Sequence, residues 1–242
     1  LDGDVADHGV VVGQRLVDRG GVALRLGRRR VVHKARSDDR VPFLAHAVDG
    51  GEPFSSRRRG IASALPCGEL GQHLTQDWPV LDLGVTPNVN RERWRLDVYG
   101  AVETPLFWDF AQFSAQPQST FMSDIHCVTT WSRYDNQWEG LSTRALLDAC
   151  QPKREARFVS LESYDGYTTN LSLADFASDD ALLAHTWQGT PIDRDHGGPV
   201  RVIVPHLYFW KSAKWLQAIE FLTEDAPGFW EVRGYHNRGD PW

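Results

Sequence analysis

The sequence predicts an α+β domain with mixed β-sheets. Three observations carry this. Several short stretches alternate apolar and polar residues with the period of a half-buried strand. Short helical stretches with their own start and stop residues fall among them. The two kinds intermingle without the regular strand–helix–strand rhythm of a parallel sheet. With 242 residues, 41% of them hydrophobic and ten of them Trp, the chain can build a sizeable core.

The core-forming residues are not evenly spread. All ten Trp and all six Tyr lie at Trp78 or later, and only Phe43 and Phe54 are aromatic before it. Residues 1–60 hold 12 Lys+Arg and 8 Asp+Glu, a net of +4, which against −6 for the whole chain leaves −10 for residues 61–242. Val10-Val11-Val12 and Val22-Ala23-Leu24 have strand character, but no pattern is sustained. A segment without aromatics buries too little surface to offset chain entropy. We therefore expect residues 1–70 to be a disordered or non-native extension and residues 71–242 to be the folded domain. Ser56-Arg57-Arg58-Arg59-Gly60-Ile61-Ala62 resembles a twin-arginine export signal, but the apolar run after it is short and broken by Pro66. An accidental basic run and a cytoplasmic location are expected. Cys67, Cys127 and Cys150 are too few for a disulfide framework and lack C-x-x-C zinc spacing. No run approaches the length of a membrane span.

In chain order, residues 79–84 read as a short strand entering a loop at Pro87. Residues 93–100 alternate like a half-buried strand. Residues 108–110 begin a short helix. Residues 142–150 form a helix with its N-cap near Ser142 and a stop at Pro152, which makes Cys150 a structural helix-end residue. Residues 157–163 read as a strand, 164–167 as a turn and 168–171 as a further extended piece. A helix around residues 173–176 is followed by the apolar run Ala181-Leu182-Leu183-Ala184 and a turn-rich segment at 189–193. Gly197-Gly198 permits a tight turn or close backbone approach but has neither dinucleotide nor P-loop spacing. A β-branched strand bounded by Pro199 and Pro205 follows.

Two stretches carry chemistry. In Asp124-Ile125-His126-Cys127-Val128-Thr129-Thr130-Trp131-Ser132-Arg133, a strand delivers a cysteine into a polar, aromatic loop. His126 and Arg133 place positive charge near the thiol, which favours the thiolate that attacks or binds metal. The bland alternative is a buried, inert cysteine. In His206-Leu207-Tyr208-Phe209-Trp210-Lys211-Ser212-Ala213-Lys214-Trp215, aromatics alternate with cations. Such a patch suits stacked bases and phosphates, but the acidic balance of residues 61–242 argues against nucleic acid. A local cationic pocket for one small phosphate fits better, with Arg binding bidentately and Lys as a point charge.

Cys127-Val128-Thr129-Thr130-Trp131-Ser132, followed by Trp138-Glu139-Gly140-Leu141, resembles the molybdenum-ligand loop of the sulfite oxidase-like molybdopterin oxidoreductases. The pattern His-Gly-x-Pro-x-Arg beginning at His196, a strand, and then Ser-x-Lys-Trp is similar to their pterin-binding segment. Tyr235, five positions after Trp230, stands at the spacing of their substrate-pocket tyrosine. The resemblance covers about residues 72–242. It implies the sulfite oxidase-type fold and a molybdenum-molybdopterin cofactor with Cys127 as the only protein ligand to the metal. It implies that His196, Arg201, Ser212, the backbone of Ala213, Lys214 and, more weakly, Ser163 hold the pterin and its phosphate.

Two family features are missing. Leu81-Asp82-Leu83-Gly84 stands where the family has Arg-Asn-His. The second arginine of the sulfite pocket is absent, leaving Arg133 to substitute. The expected reaction is two-electron oxygen-atom transfer on a small oxyanion or an S- or N-oxide, with Tyr235, His126 and Arg133 orienting the substrate. His206, Tyr208, Trp210 and Tyr235 are expected to ring the mouth, with Lys211 adding charge. We expect no haem-binding domain before the fold and no immunoglobulin-like domain after it. We expect a stand-alone monomer that exchanges electrons with a separate carrier or subunit. Two rival classes are a hydrolase with Cys127 as nucleophile and a noncatalytic Trp-rich binding module.

Overall fold

The structure is a computed structural model that describes residues 71–241. The expectations for residues 1–70, Cys67 and the basic run at 57–59 included, lie outside the described residues. Among the described residues, two sheets, three short α-helices and two single-turn 3-10 helices make the fold. The first sheet runs β1 (His73–Leu74), β5 (Trp131–Ser142), β8 (Leu182–Trp187), β10 (Arg201–Ile203), with β4 (Gln118–Cys127) on β5 and β9 (Thr190–Pro191) on β8. The second runs β3 (Leu106–Asp109), β2 (Arg95–Gly100), β11 (Leu216–Leu222), β6 (Phe158–Ser163), β7 (Thr168–Ser172). Both sheets are mixed: β1 on β5 and β2 on β11 are parallel, and the other pairings are antiparallel. Among the described residues, no helix is long and apolar enough to cross a membrane.

The local rules explain most elements. On β2, Leu96 and Val98 point into the core while Asp97 and Tyr99 lie nearer the surface, the two-residue period expected of a half-buried strand. The helix α2 (Thr143–Cys150) starts where the Ser142 hydroxyl accepts from the Ala145 N–H, and Gln151 in the left-handed region ends it. The helix α3 (Leu173–Phe176) has the same kind of cap from Ser172. The helix α1 (Phe110–Ser114) begins later than the sequence suggests. Trp108 and Asp109 end β3, and Asp109 caps the helix through a reciprocal pair with Gln112. The apolar run after α3 enters β8.

Residues 79–84 are not a strand. Pro79 has no N–H to give a ladder, and Val80 and Leu81 face solvent at 45% and 54% exposure. Their apolar character reads as burial in the sequence, but no neighbouring strand receives them.

Two hydrophobic clusters follow from this architecture. The larger holds Trp94, Leu96, Val98, Leu161, Val202 and Ile219 and links the two sheets. The buried Trp94 indole donates to the Leu216 carbonyl at 2.8 Å, so its one polar atom is satisfied. The smaller lies beneath the β4–β5 hairpin and contains Trp78, Ile125, Cys127, Trp131, Trp138 and Ile203. It is the floor of the candidate site.

Candidate active site

Cys127 is the last residue of β4 and pairs with Trp131, the first of β5. The three residues between them close a tight hairpin, with the Thr130 N–H donating to the Cys127 carbonyl at 3.0 Å. A three-residue hairpin loop needs a left-handed residue in its last position. Here that residue is Thr130, at φ 70°. A β-branched residue is costly there, by about 1–3 kcal/mol, and persists only where its surroundings fix it. Strain thus sits three residues from the thiol.

The Cys127 side chain is 6% exposed, and its Sγ lies 3.1 Å from the Thr129 Oγ1. Burial pushes the thiol pKa up, opposed by hydrogen bonding to Thr129. The sequence-based expectation that His126 and Arg133 favour the thiolate is not met. Neighbours on a strand point to opposite faces. His126 Nδ1 sits 2.8 Å from Ser132 Oγ, and burial lowers its pKa to about 4, so the ring is neutral. Arg133 donates to the Gln76 carbonyl and to Asn136 and lies 4.6 Å over the Trp187 ring. The contacts of both side chains are with these groups and not with the thiol.

The glycine pair behaves as expected. Gly197 has φ 103°, and a Cβ there would lie 2.8 Å from the Lys214 Cβ. A Cβ on Gly198 would lie 2.1 Å from the Ile192 carbonyl oxygen. This close approach lays residues 196–198 against Lys214. Arg201 is fully buried beside them. Its Nη1 donates to the His196 carbonyl at 2.7 Å and its Nη2 to the Ser212 carbonyl at 2.8 Å. Its guanidinium stands 4.3 Å from the Phe209 ring. Burial lowers its pKa to about 9, opposed only by the more distant Asp193.

Lys214 Nζ donates to the Asp195 carbonyl and lies 4.1 Å over the Trp215 ring. Burial and then the charge of Arg201 lower its pKa to about 8. The Ser212 hydroxyl accepts from the Val204 N–H, and Ala213 is buried next to it. Ser163 ends β6 opposite Leu216 and so reaches the same side. His196 is also in place, with both ring nitrogens engaged, Nδ1 by Asp193 and Nε2 by the Trp78 carbonyl at 2.8 Å.

This segment fits an anionic group. Arg201 Nε and Ser163 Oγ are both buried and have no hydrogen-bond partner. A desolvated guanidinium without a contacting carboxylate, next to a second desolvated cation, is costly until an anion meets it. Phe209 joins this half of the site to the other. Its ring is 6.3 Å from that of Trp131, the partner of Cys127. Among the described residues, no cluster of three His, Cys, Asp or Glu is arranged to hold a metal.

The third group is aromatic. Trp210 stacks on Tyr208 at 5.2 Å and meets Tyr235 edge-on at 5.1 Å, and Tyr235 lies 4.8 Å from Trp230. Burial raises the pKa of both tyrosines, and a charge on Cys127 raises them further. His206, expected at the mouth, and Lys211, expected to add charge there, are engaged by carboxylates instead. Lys211 is fully buried on Glu231 and Asn170. His206 sits on Asp175 and Asp180.

Sequence reading missed Gln72 and Trp78. Gln72 Nε2 donates to the Cys127 carbonyl at 3.2 Å, and the Trp78 ring stacks on His196. Both act across large sequence separations and carry no local pattern.

Comparison with known proteins gives the family and the fold. The family described as oxidoreductase molybdopterin binding domain matches residues 83–230. An oxidoreductase of Bacillus subtilis (strain 168), YuiH, is 46% identical over 172 residues, which is 71% of this chain and 87% of that protein. The protein-methionine-sulfoxide reductase catalytic subunit MsrP of Campylobacter jejuni is 27% identical over 172 residues. That match covers 62% of this chain and 56% of MsrP, so the chain spans about half of that relative. Among solved structures, the sulfane dehydrogenase SoxCD of Paracoccus pantotrophus superposes with a TM-score of 0.53 at 17% identity, over 72% of this chain and 58% of that one. This likeness concerns the fold, and it agrees with the expected class of mixed sheets with short helices.

Proposed function

We propose that this chain, which belongs to the oxidoreductase molybdopterin-binding domain family, reduces a small S-oxide or N-oxide, or forms one from its sulfide or amine, at a molybdenum centre whose protein ligand is Cys127. Membership makes the protein an enzyme and its cofactor a molybdopterin. The ligand and the substrate are our reading. When bound, the cofactor supplies two-electron oxygen-atom transfer, and a soft thiolate suits its metal. The protein supplies placement, hydrogen bonds and exclusion of water.

One observation supports this assignment above the rest: Phe209 packs between Trp131, the strand partner of the buried Cys127, and a buried arginine whose Nε has no partner. On this reading Arg201, Lys214 and Ser163 take the pterin and its phosphate, with His196, Ser212 and Ala213 shaping their surroundings. Tyr208 and Tyr235 face the substrate. With His126 neutral and Arg133, Lys211 and His206 engaged by other partners, the polar side chains that contact Cys127 are uncharged, the Thr129 hydroxyl and the Gln72 amide. Hydroxyls donate well to an uncharged oxide oxygen and neutralise an oxyanion poorly. That favours S- and N-oxides over sulfite. A hydrolase would need a base at the thiol, but Sγ is bonded to Thr129 and His126 points to the other face. Electrons would come from a separate carrier or subunit.

The test is a dye-coupled assay on molybdenum-loaded protein with sulfoxides, N-oxides and sulfite. Turnover of an oxide above sulfite is the expected result. Turnover of sulfite alone would return the substrate to the oxyanion class. Full turnover in Cys127→Ser would remove Cys127 from the metal.

A further inference from the structure

The family match begins at residue 83, yet the segment before it reaches into both halves of the site. We infer that residues 72–78 form a strap that positions the cofactor-binding groups, with Trp78 as its key positioning residue. The inference rests on the reading that Arg201 and His196 belong to the cofactor site.

Trp78 is 8% exposed and touches both halves. Its ring stacks on His196 at 4.1 Å with 26° between planes, and its carbonyl accepts from Nε2 of the same histidine. The Arg201 guanidinium lies 5.4 Å over it. It also packs against Trp138 at 5.2 Å and Trp187 at 4.6 Å, from β5 and β8. One residue thus sets the plane of His196 and roofs Arg201 while leaning on the strand that returns from Cys127. Stacking of this kind has a preferred geometry that an aliphatic side chain of similar bulk does not reproduce.

The other end of the strap grips the hairpin. The His73 N–H donates to the Thr130 carbonyl and the Thr75 N–H to the Ser132 carbonyl, both at 2.9 Å. Gln72 holds the Cys127 carbonyl through Nε2 and accepts from the Ser132 hydroxyl through Oε1. The strained Thr130 is therefore clamped from outside the hairpin, as a left-handed threonine requires.

The experiment uses full-length protein purified with its cofactor and compares Trp78→Phe, Trp78→Leu and Arg201→Ala. Two quantities are read: molybdenum per chain, and the fluorescence of oxidised pterin released per chain. The melting temperature of each cofactor-free protein is measured alongside. Trp78→Phe keeps a ring for stacking and is expected to stay near wild type, whereas Trp78→Leu loses about tenfold in retained cofactor. The two cofactor-free variants are expected to melt together. Equal retention in Phe and Leu variants, or losses that simply follow melting temperature, would overturn the strap. If Arg201→Ala loses cofactor while Trp78→Leu keeps it, the strap fails and the site reading stands. If Arg201→Ala keeps its cofactor, the site reading fails and takes the strap with it.

Discussion

Lys211 Nζ lies 2.6 Å from Glu231 Oε1, and neither side chain reaches solvent. The ammonium also donates to the Asn170 carbonyl and to Asn170 Oδ1, each at 2.9 Å. Glu231 Oε1 further accepts from Thr169 Oγ1 and Trp210 Nε1. The pair therefore anchors Trp210, the central ring of the aromatic wall. Removing one partner of a buried pair leaves an uncompensated charge and costs about 3–5 kcal/mol. Lys211→Met is expected to lower the melting temperature by about 10 °C. Adding Glu231→Gln should return much of that loss, as a denaturant double-mutant cycle would show.

His206 predicts a pH dependence. Burial alone would lower its pKa, but Asp175 at 3.1 Å and Asp180 at 3.8 Å outweigh burial and raise it to about 9. A pKa raised on folding stabilises while the ring is protonated. That contribution is full below the unfolded value near 6.5 and is lost as pH climbs through about 9. Asp175, held below the ordinary carboxylate range by His206, Arg238 and Ser172 against the opposing effect of burial, stays ionised throughout this window. Melting curves of wild type and His206→Gln are expected to differ most at pH about 6 and to converge by pH about 10.

Cys127→Ser should abolish turnover and leave the fold intact. The serine hydroxyl inherits the Thr129 contact, so no polar atom is orphaned and the melting temperature should move by no more than about 3 °C. The check is turnover and metal content on one preparation. Retained activity contradicts the ligand assignment.

Lys214→Ala should weaken cofactor retention by about tenfold to a hundredfold, the value of one charge-assisted hydrogen bond in a desolvated site. The side chain is only half-buried and holds one carbonyl of its own chain, so stability should change little. Pterin content after gel filtration measures it. Full occupancy would remove Lys214 from the phosphate.

Tyr235→Phe keeps the ring contacts with Trp210 and Trp230 and deletes only the hydroxyl. Loss of one neutral hydrogen bond to substrate predicts a fall of about twofold to tenfold in kcat/KM with cofactor content unchanged. An unaltered kcat/KM across sulfoxides and N-oxides would place the hydroxyl outside the substrate's reach.

Local rules were legible in the sequence wherever neighbours in the chain decide the structure. Ser142 and Ser172 cap helices as their type demands, and β2 shows its buried face in the spacing of Leu96 and Val98. The hairpin that ends a strand at Cys127 and a close backbone approach at Gly197-Gly198 were readable because their residue patterns are distinctive, whereas the neighbours they approach were not. What stayed hidden depends on distant partners. Lys211 and His206 look like solvent-facing cations until Glu231 and Asp175 are seen beside them. His126 next to a cysteine suggests activation, but the strand turns the two apart. Gln72 and Trp78 work through a parallel pairing and a ring stack that no local spacing encodes.

The position of β11 has a consequence for how the protein is made. It lies in the middle of the five-stranded sheet, parallel to β2 and antiparallel to β6, yet it is the last strand of the described chain. A growing polypeptide thus exposes β2 and β6 without their shared neighbour until residues 216–222 have emerged from the ribosome. Unpaired edges of that kind invite pairing with other chains, and contacts between distant segments form slowly. Lys214 and Trp215 immediately precede this strand, so the phosphate-binding corner is assembled in the same late event. The cofactor has no pocket to enter until that strand has been made.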